Sequence, residues 1–183
     1  MNYELLTWLV PVPPLIAFFV IVLLANRSNK LSHSLAIIAA GLSWLLSMMI
    51  FIWAIGPKGV LQKPLVSTIN WLPTADTFLK IGVQIDALSA ITLFFVAWTV
   101  LMIFVYSIGY HNYGQPKGDH DQPGLPPHGK TVESANEKPH KVMSIEPMYA
   151  RFFAFISLFA FAMYLLVVSN NLLTLYIGWE IMG

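Results

Sequence analysis

Cysteine is absent from the 183 residues. That excludes a disulfide framework, a thiolate-held iron–sulfur cluster and any zinc site built on cysteine. Charge is scarce too: Asp, Glu, Lys and Arg make up 10% of the chain, against about 25% in an ordinary soluble domain. Ten basic and nine acidic side chains nearly cancel, which argues against a nucleic-acid partner. A Gly-rich phosphate loop, a nucleophile elbow and an HExxH motif are all missing. No internal repeat is found. The first apolar run has no basic stretch before it. Arg27 and Lys30 follow it instead, so it reads as a retained helix and not as a signal peptide.

What is present is apolar surface. The chain is 57% hydrophobic and 14% aromatic, with a mean hydropathy of +0.67. The expected fold is all-α, a polytopic transmembrane helix bundle. Four runs are long enough to cross: Leu5 to Ala25, Ser34 to Ile55, Ile85 to Ile108, and Phe152 to Ser169. Pro11, Pro13 and Pro14 are expected to kink the first, which is tolerable where neighbours satisfy the freed carbonyls. Asn170-Asn171 makes a tight turn into a fifth run that reaches Gly183, so the reading is four full spans and the start of a fifth. The organisation is then helices one to three over 1–110, a flexible loop over 111–148, and helix four with a truncated helix five over 149–183.

Basic residues set an orientation. Arg27, Lys30, Lys117, Lys130, Lys138, Lys141 and Arg151 fall on one side, and Lys58, Lys63 and Lys80 on the other, a split of 7 to 3. The positive-inside rule places loops 26–33 and 111–148 in the cytoplasm and the N-terminus outside. In the outer loop, 56–84, Val66, Ile69, Trp71 and Leu72 are followed by Phe78, Leu79, Ile81 and Val83. Asn70 and Pro73-Thr74 supply turn signals, so a hairpin capping the bundle is expected. The cytoplasmic loop holds six prolines, four glycines and four histidines with few large apolar residues. Such a composition cannot bury a core and reads as a disordered or extended linker.

Glu180 is the leading candidate residue. A rise of about 1.5 Å per residue from Asn171 puts it roughly 13–14 Å into the bilayer, near the midplane. A carboxylate there is costly and usually functional, so a proton-carrying acid is preferred over one that merely hydrogen-bonds a neighbouring helix for packing. No lysine lies inside any of the five runs, so a cationic partner has to come from elsewhere. Asp86 opens the third run; an N-cap is preferred over a role in proton uptake or coupling. Arg151 opens the fourth. An interfacial anchor is the default, and a contact to an adjoining subunit or lipid headgroup the alternative. His111, His120, His128 and His140 lack a compact ligand spacing, so no metal site is expected. Tyr106, Tyr110, Tyr113 and Tyr149 read as an aromatic belt, and Gly178-Trp179 as a close helix approach.

Several strings together carry a family resemblance. Ile85-Asp-Ala-Leu-Ser89 opens a span that ends in Val105-Tyr-Ser-Ile-Gly-Tyr110. Tyr149-Ala-Arg-Phe-Phe-Ala-Phe155 follows, and then Asn171-Leu-Leu-Thr-Leu-Tyr-Ile-Gly-Trp-Glu-Ile-Met-Gly183. In order and spacing these resemble the N-terminal part of the antiporter-like, proton-translocating membrane subunits of respiratory complex I, the subunit L or chain 5 family. The resemblance implies a proton-translocating membrane-arm element of an NADH-quinone oxidoreductase, in a bacterial plasma membrane. It implies that the family's key carboxylate falls on Glu180, and that its lysine partner lies on a later, broken helix outside this chain. Subunit M and other membrane-arm subunits would be neighbours, with lipid around them. FMN, iron–sulfur clusters and quinone would belong to the complex and not to this chain. The family has many more spans, so a split gene or a fragment is expected, with another segment completing helix five. The loop 111–148 is far longer than the family's. The large subunit of an Mrp-type cation/proton antiporter shares these motifs and is the rival reading.

Overall fold

Proline decides the shape of the first span. In the computed structural model, which describes residues 2–25, 27–57, 59–60, 63–74, 77–110, 125, 129–134, 137–142 and 148–183, this span is two helices in series. Helix α1 (Tyr3–Leu9) is capped by Asn2, whose side chain accepts the Leu5 N–H. Helix α2 (Val12–Val20) starts beyond Pro11 with Pro13 in its first turn. The expected kink falls at Val10–Pro11, where the hydrogen-bond ladder is interrupted while both residues keep right-handed helical angles, because consecutive prolines remove several ladder donors at once. Pro14 cannot donate to the Val10 carbonyl. The Ser43 hydroxyl, from the next span, donates to it instead at 2.7 Å, and both residues are fully buried. A π turn over Ile21–Ala25 ends the span. The Ser32 hydroxyl lies 2.9 Å from both the Ala25 and the Ser28 carbonyls there.

Helix α3 (Asn29–Ala54) is the hub, packing against α1, α2, α4 and α5. Its buried positions, Ala36, Ala40, Ser43, Ser47, Ile50 and Ala54, recur at steps of three and four. Small side chains let apolar helices approach where no water drives them together. Helix α4 (Ala87–Tyr110) buries Ala90, Leu93, Ala97, Val100 and Phe104 at the same spacing. Helix α5 (Tyr149–Val168) buries Phe153, Ala154, Ser157, Ala160 and Tyr164. Helix α6 (Leu172–Met182) packs on α5. Many large apolar residues point outward, Leu23, Leu24, Ile52 and Phe95 among them. Four helical segments are long and apolar enough to cross a membrane: Tyr3–Ala25, Asn29–Ala54, Ala87–Gly109 and Tyr149–Val168. The chain is a multi-pass membrane protein.

The expected hairpin forms from β1 (Leu65–Thr74) and β2 (Thr77–Ile85), paired antiparallel with Leu65 opposite Ile85. Ile85 therefore ends a strand, and the third span begins two residues later. Of the two turn signals, Asn70 lies at a register shift between Asn70 and Leu72, whereas the strands reverse just after Pro73-Thr74, where Thr74 pairs with Thr77. The hairpin is pinned to the first span by the Trp8 indole N–H, which donates to the Ser67 hydroxyl at 3.1 Å.

A second pair, β3 (Lys130–Ser134) and β4 (Glu137–Val142), stands inside the loop whose composition indicates a linker. Two strands can satisfy one another's backbone groups without a core of their own; Val142 is nevertheless buried. Residues 111–124, 126–128, 135–136 and 143–147 of that loop lie outside the described residues.

The Val10 carbonyl yields a stability test. Ser43→Ala should destabilise the protein by about 1–2 kcal/mol, because a buried carbonyl loses its one interhelical donor. Ser47 bonds back to the Ser43 carbonyl of its own helix at 2.7 Å. Ser47→Ala should therefore cost clearly less. Unfolding in mixed detergent micelles reads both, and equal costs would refute the assignment.

Candidate functional site

The candidate site is built on α6. Asn171 caps it, its side-chain oxygen accepting the Thr174 N–H at 2.8 Å. Thr174 and Gly178, one turn apart, are both buried, Gly178 against α5 and Thr174 against Gly82 of β2. A Cβ on Gly178 would sit 3.1 Å from the Ala162 carbonyl oxygen and 3.2 Å from the Leu166 nitrogen. The close approach expected at Gly178 is present, and it fixes which way α6 is turned.

The opposite face carries Leu172, Tyr176, Trp179 and Glu180, all exposed. Spacings of four, three and one residues put them on one side of the helix. The Tyr176 phenol stands one turn before Glu180, within electrostatic reach of its carboxylate. Glu180 is the only acid in α2 to α6. The basic residues in those helices are Lys30 and Arg151, both in first turns and far along the chain from the acid. Within this chain the acid thus faces away from the bundle, with a phenol one turn away.

The other two candidates are held elsewhere. Asp86 precedes α4 and forms a reciprocal cap with Ser89. Its carboxylate accepts the Ser89 N–H at 2.7 Å, while the Ser89 hydroxyl accepts the Asp86 N–H at 2.8 Å. The Ser89 N–H, followed by the Ser89 hydroxyl, holds this carboxyl below the usual carboxylate range. Arg151 is exposed at the far end of α5, its guanidinium 5.5 Å from the centre of the Phe155 ring and one nitrogen 3.9 Å from the Met148 sulfur. It edges an open groove of about 470 Å³ that is also lined by Phe18, Ile21, Val22 and Ala154. The three candidates thus sit on or beside three different helices, and the structure does not bring them together.

Tyr149 departs from the expected aromatic belt. It is 2% exposed, with its hydroxyl 3.4 Å from His33 Nδ1 and its ring against Phe153. Tyr106, 73% exposed, fits the belt. Of the loop histidines, His140 lies on β4, and His111, His120 and His128 lie outside the described residues. No group of three metal-ligating side chains occurs among the described residues. Two participants were missed at the sequence level. Tyr176 had a legible signal, the i, i+4 spacing to Glu180. Thr174 had none, because its partner lies 92 residues away.

Fold and site define a class: an integral membrane helix bundle whose last apolar helix presents one acid on an uncovered face. Comparison narrows this. Residues 71–113 match the family described as NADH-Ubiquinone oxidoreductase (complex I), chain 5 N-terminus. NADH-quinone oxidoreductase subunit L of Mycobacterium tuberculosis (strain CDC 1551 / Oshkosh) is 25% identical over 177 residues, 97% of this chain and 23% of the relative. NAD(P)H-quinone oxidoreductase subunit 5, chloroplastic, of Mesostigma viride is 29% identical over 183 residues, 96% of this chain and 22% of the relative. The subunit L of Neisseria meningitidis (strain DSM 15465 / Z2491) is 26% identical over the whole chain. The chain spans less than a quarter of the length of the curated relatives it matches. The resemblance to the subunit L and chain 5 family is borne out.

The Asp86 cap is testable. Asp86→Ala should cost about 1 kcal/mol, while Asp86→Asn, which keeps the acceptor, should cost little. Because the folded carboxyl is held low, its contribution is complete above the ordinary carboxylate range and is lost as pH falls through the lowered folded value. Thermal unfolding at several pH values checks both. Full loss in Asp86→Asn would show that charge, not the acceptor, matters.

Proposed function

We propose that this chain is the N-terminal portion of a subunit L-type element of an NADH-quinone oxidoreductase, and that Glu180 is one station of its proton path. The observation that carries this is the uncovered face of α6. A carboxylate turned away from its own bundle, about 13 Å along a helix, is untenable against hydrocarbon and needs protein on that side. We assign that cover to a segment beyond this chain that brings a lysine, so that the acid switches between a neutral and an ion-paired form. Tyr176 donates to the charged form and steadies it between transfers. The relatives' printed names, NADH-quinone and NAD(P)H-quinone oxidoreductase, favour this over the Mrp-type antiporter.

The activity belongs to the assembled complex. Electrons pass from NADH to quinone through FMN and iron–sulfur clusters in other subunits, while this chain carries no redox step. Subunit M and other membrane-arm subunits are its protein neighbours in this reading. The 7 to 3 split of basic residues favours the outer face for the hairpin, and we take the membrane to be a bacterial plasma membrane. Arg151 then lies at the cytoplasmic interface as an anchor.

In the assembled complex Glu180→Gln should lower proton pumping several-fold while NADH-dependent reduction of an artificial acceptor persists. Tyr176→Phe should lower it less, since only the donor to the charged form is lost. Unchanged pumping stoichiometry and rate in Glu180→Gln would remove the assigned role.

A further inference from the structure

The second edge of β2 is covered by the turn between α5 and α6. Gly82 stands opposite Thr68 in the hairpin, at a pair whose backbone groups face away from β1. Both of its outward groups are taken: its carbonyl accepts the Asn170 N–H at 3.1 Å, and its N–H donates to the Thr174 hydroxyl at 3.1 Å. Two residues back, on the same edge, the Lys80 carbonyl accepts the Asn171 side-chain N–H at 3.0 Å. Val83 pairs with Ser169 as an isolated bridge. A Cβ on Gly82 would meet the Asn170 side chain, so the glycine leaves room for that side chain against the strand.

The same two α6 residues do double duty. Asn171 caps the helix with its oxygen and grips the strand with its nitrogen. Thr174, fully buried, accepts from the strand and donates to the Asn171 oxygen at 3.0 Å. Thr174 lies six residues before Glu180, about 9 Å along the axis. Packing of Gly178 on α5 sets the lateral position of α6, and the bonds at its first turn tie it along its axis to the strand. Small shifts in the position of a transferring group cost orders of magnitude in rate.

We infer that Asn171, Thr174 and Gly82 form a latch by which the outer hairpin sets the depth and rotation of Glu180, so that Thr174 and Asn171 are positioning residues for proton transfer. This inference rests on the proton-relay reading of Glu180. The latch senses no substrate and moves no proton itself. It acts by holding the acid in register with whatever covers its face.

The test uses the full complex in inverted membrane vesicles and follows pumping rate against pH. Thr174→Val keeps shape and loses the hydroxyl. Asn171→Asp keeps the helix cap and loses the donor to Lys80, and it carries the test if Thr174→Val fails to assemble. Each should slow pumping, by about ten-fold for a misplaced group, and shift its pH profile. Thr174→Ser should restore both rate and profile. Exchange of the Gly82 amide hydrogen should quicken in Thr174→Val and not in Thr174→Ser. Glu180→Gln is measured beside them. If it pumps normally, the relay reading fails and the latch has nothing to position. If it pumps poorly while Asn171→Asp and an assembled Thr174→Val match the parent in rate and profile, the latch is overturned and the relay stands. A slowed Thr174→Val that Thr174→Ser cannot restore also overturns it.

Discussion

An unpaired backbone carbonyl in hydrocarbon has no water to turn to, and this constraint organises the whole chain. Each break in helical pairing is met by a side chain from somewhere else. Ser43 serves the carbonyl that the prolines release in the first span. Ser32 serves the end of the π turn. Asn171 and Thr174 serve the open edge of the hairpin. Short polar residues that hydropathy counts as minor interruptions are the contacts that join one element to the next.

The acid-bearing helix shows the same constraint at work on function. Its buried face is narrow, Thr174 and Gly178 flanked by half-buried Leu173 and Ile177, and the side bearing Leu172, Tyr176, Trp179 and Glu180 is exposed. That geometry suits a helix meant to be covered on its other side by more protein. The phenol of Tyr176 stands one turn before the carboxylate on the same uncovered face.

Much of this was legible in the sequence, for reasons that can be named. The spans were readable because apolar length has few other meanings. The β1–β2 hairpin was readable from alternation, and the Asp86 cap from an acid three residues before a serine. Other features lay beyond local pattern. The proline kink was legible, but not that Ser43, 33 residues on, would serve the freed carbonyl. Tyr149 looked interfacial because a tyrosine near a helix end usually is, and only tertiary packing puts it against His33. The β3–β4 pair was hidden by a composition that cannot form a core, which two strands do not require. At the site, Glu180 stood out by cost alone, whereas Thr174 resembled any threonine in a polar-flanked turn.

The small-residue stripe of α3 has a consequence for how this protein can vary. On its outward face Ile38, Leu42, Leu45, Met49 and Ile52 are exposed within this chain, and where only lipid meets them any apolar side chain of similar bulk would serve. On the inward face Ala36, Ala40, Ser43 and Ser47 have no free volume to give. The specificity of the bundle therefore resides in its smallest side chains. Drift among relatives should concentrate on the large greasy positions and spare the small ones, the inverse of what a water-soluble core would lead one to look for.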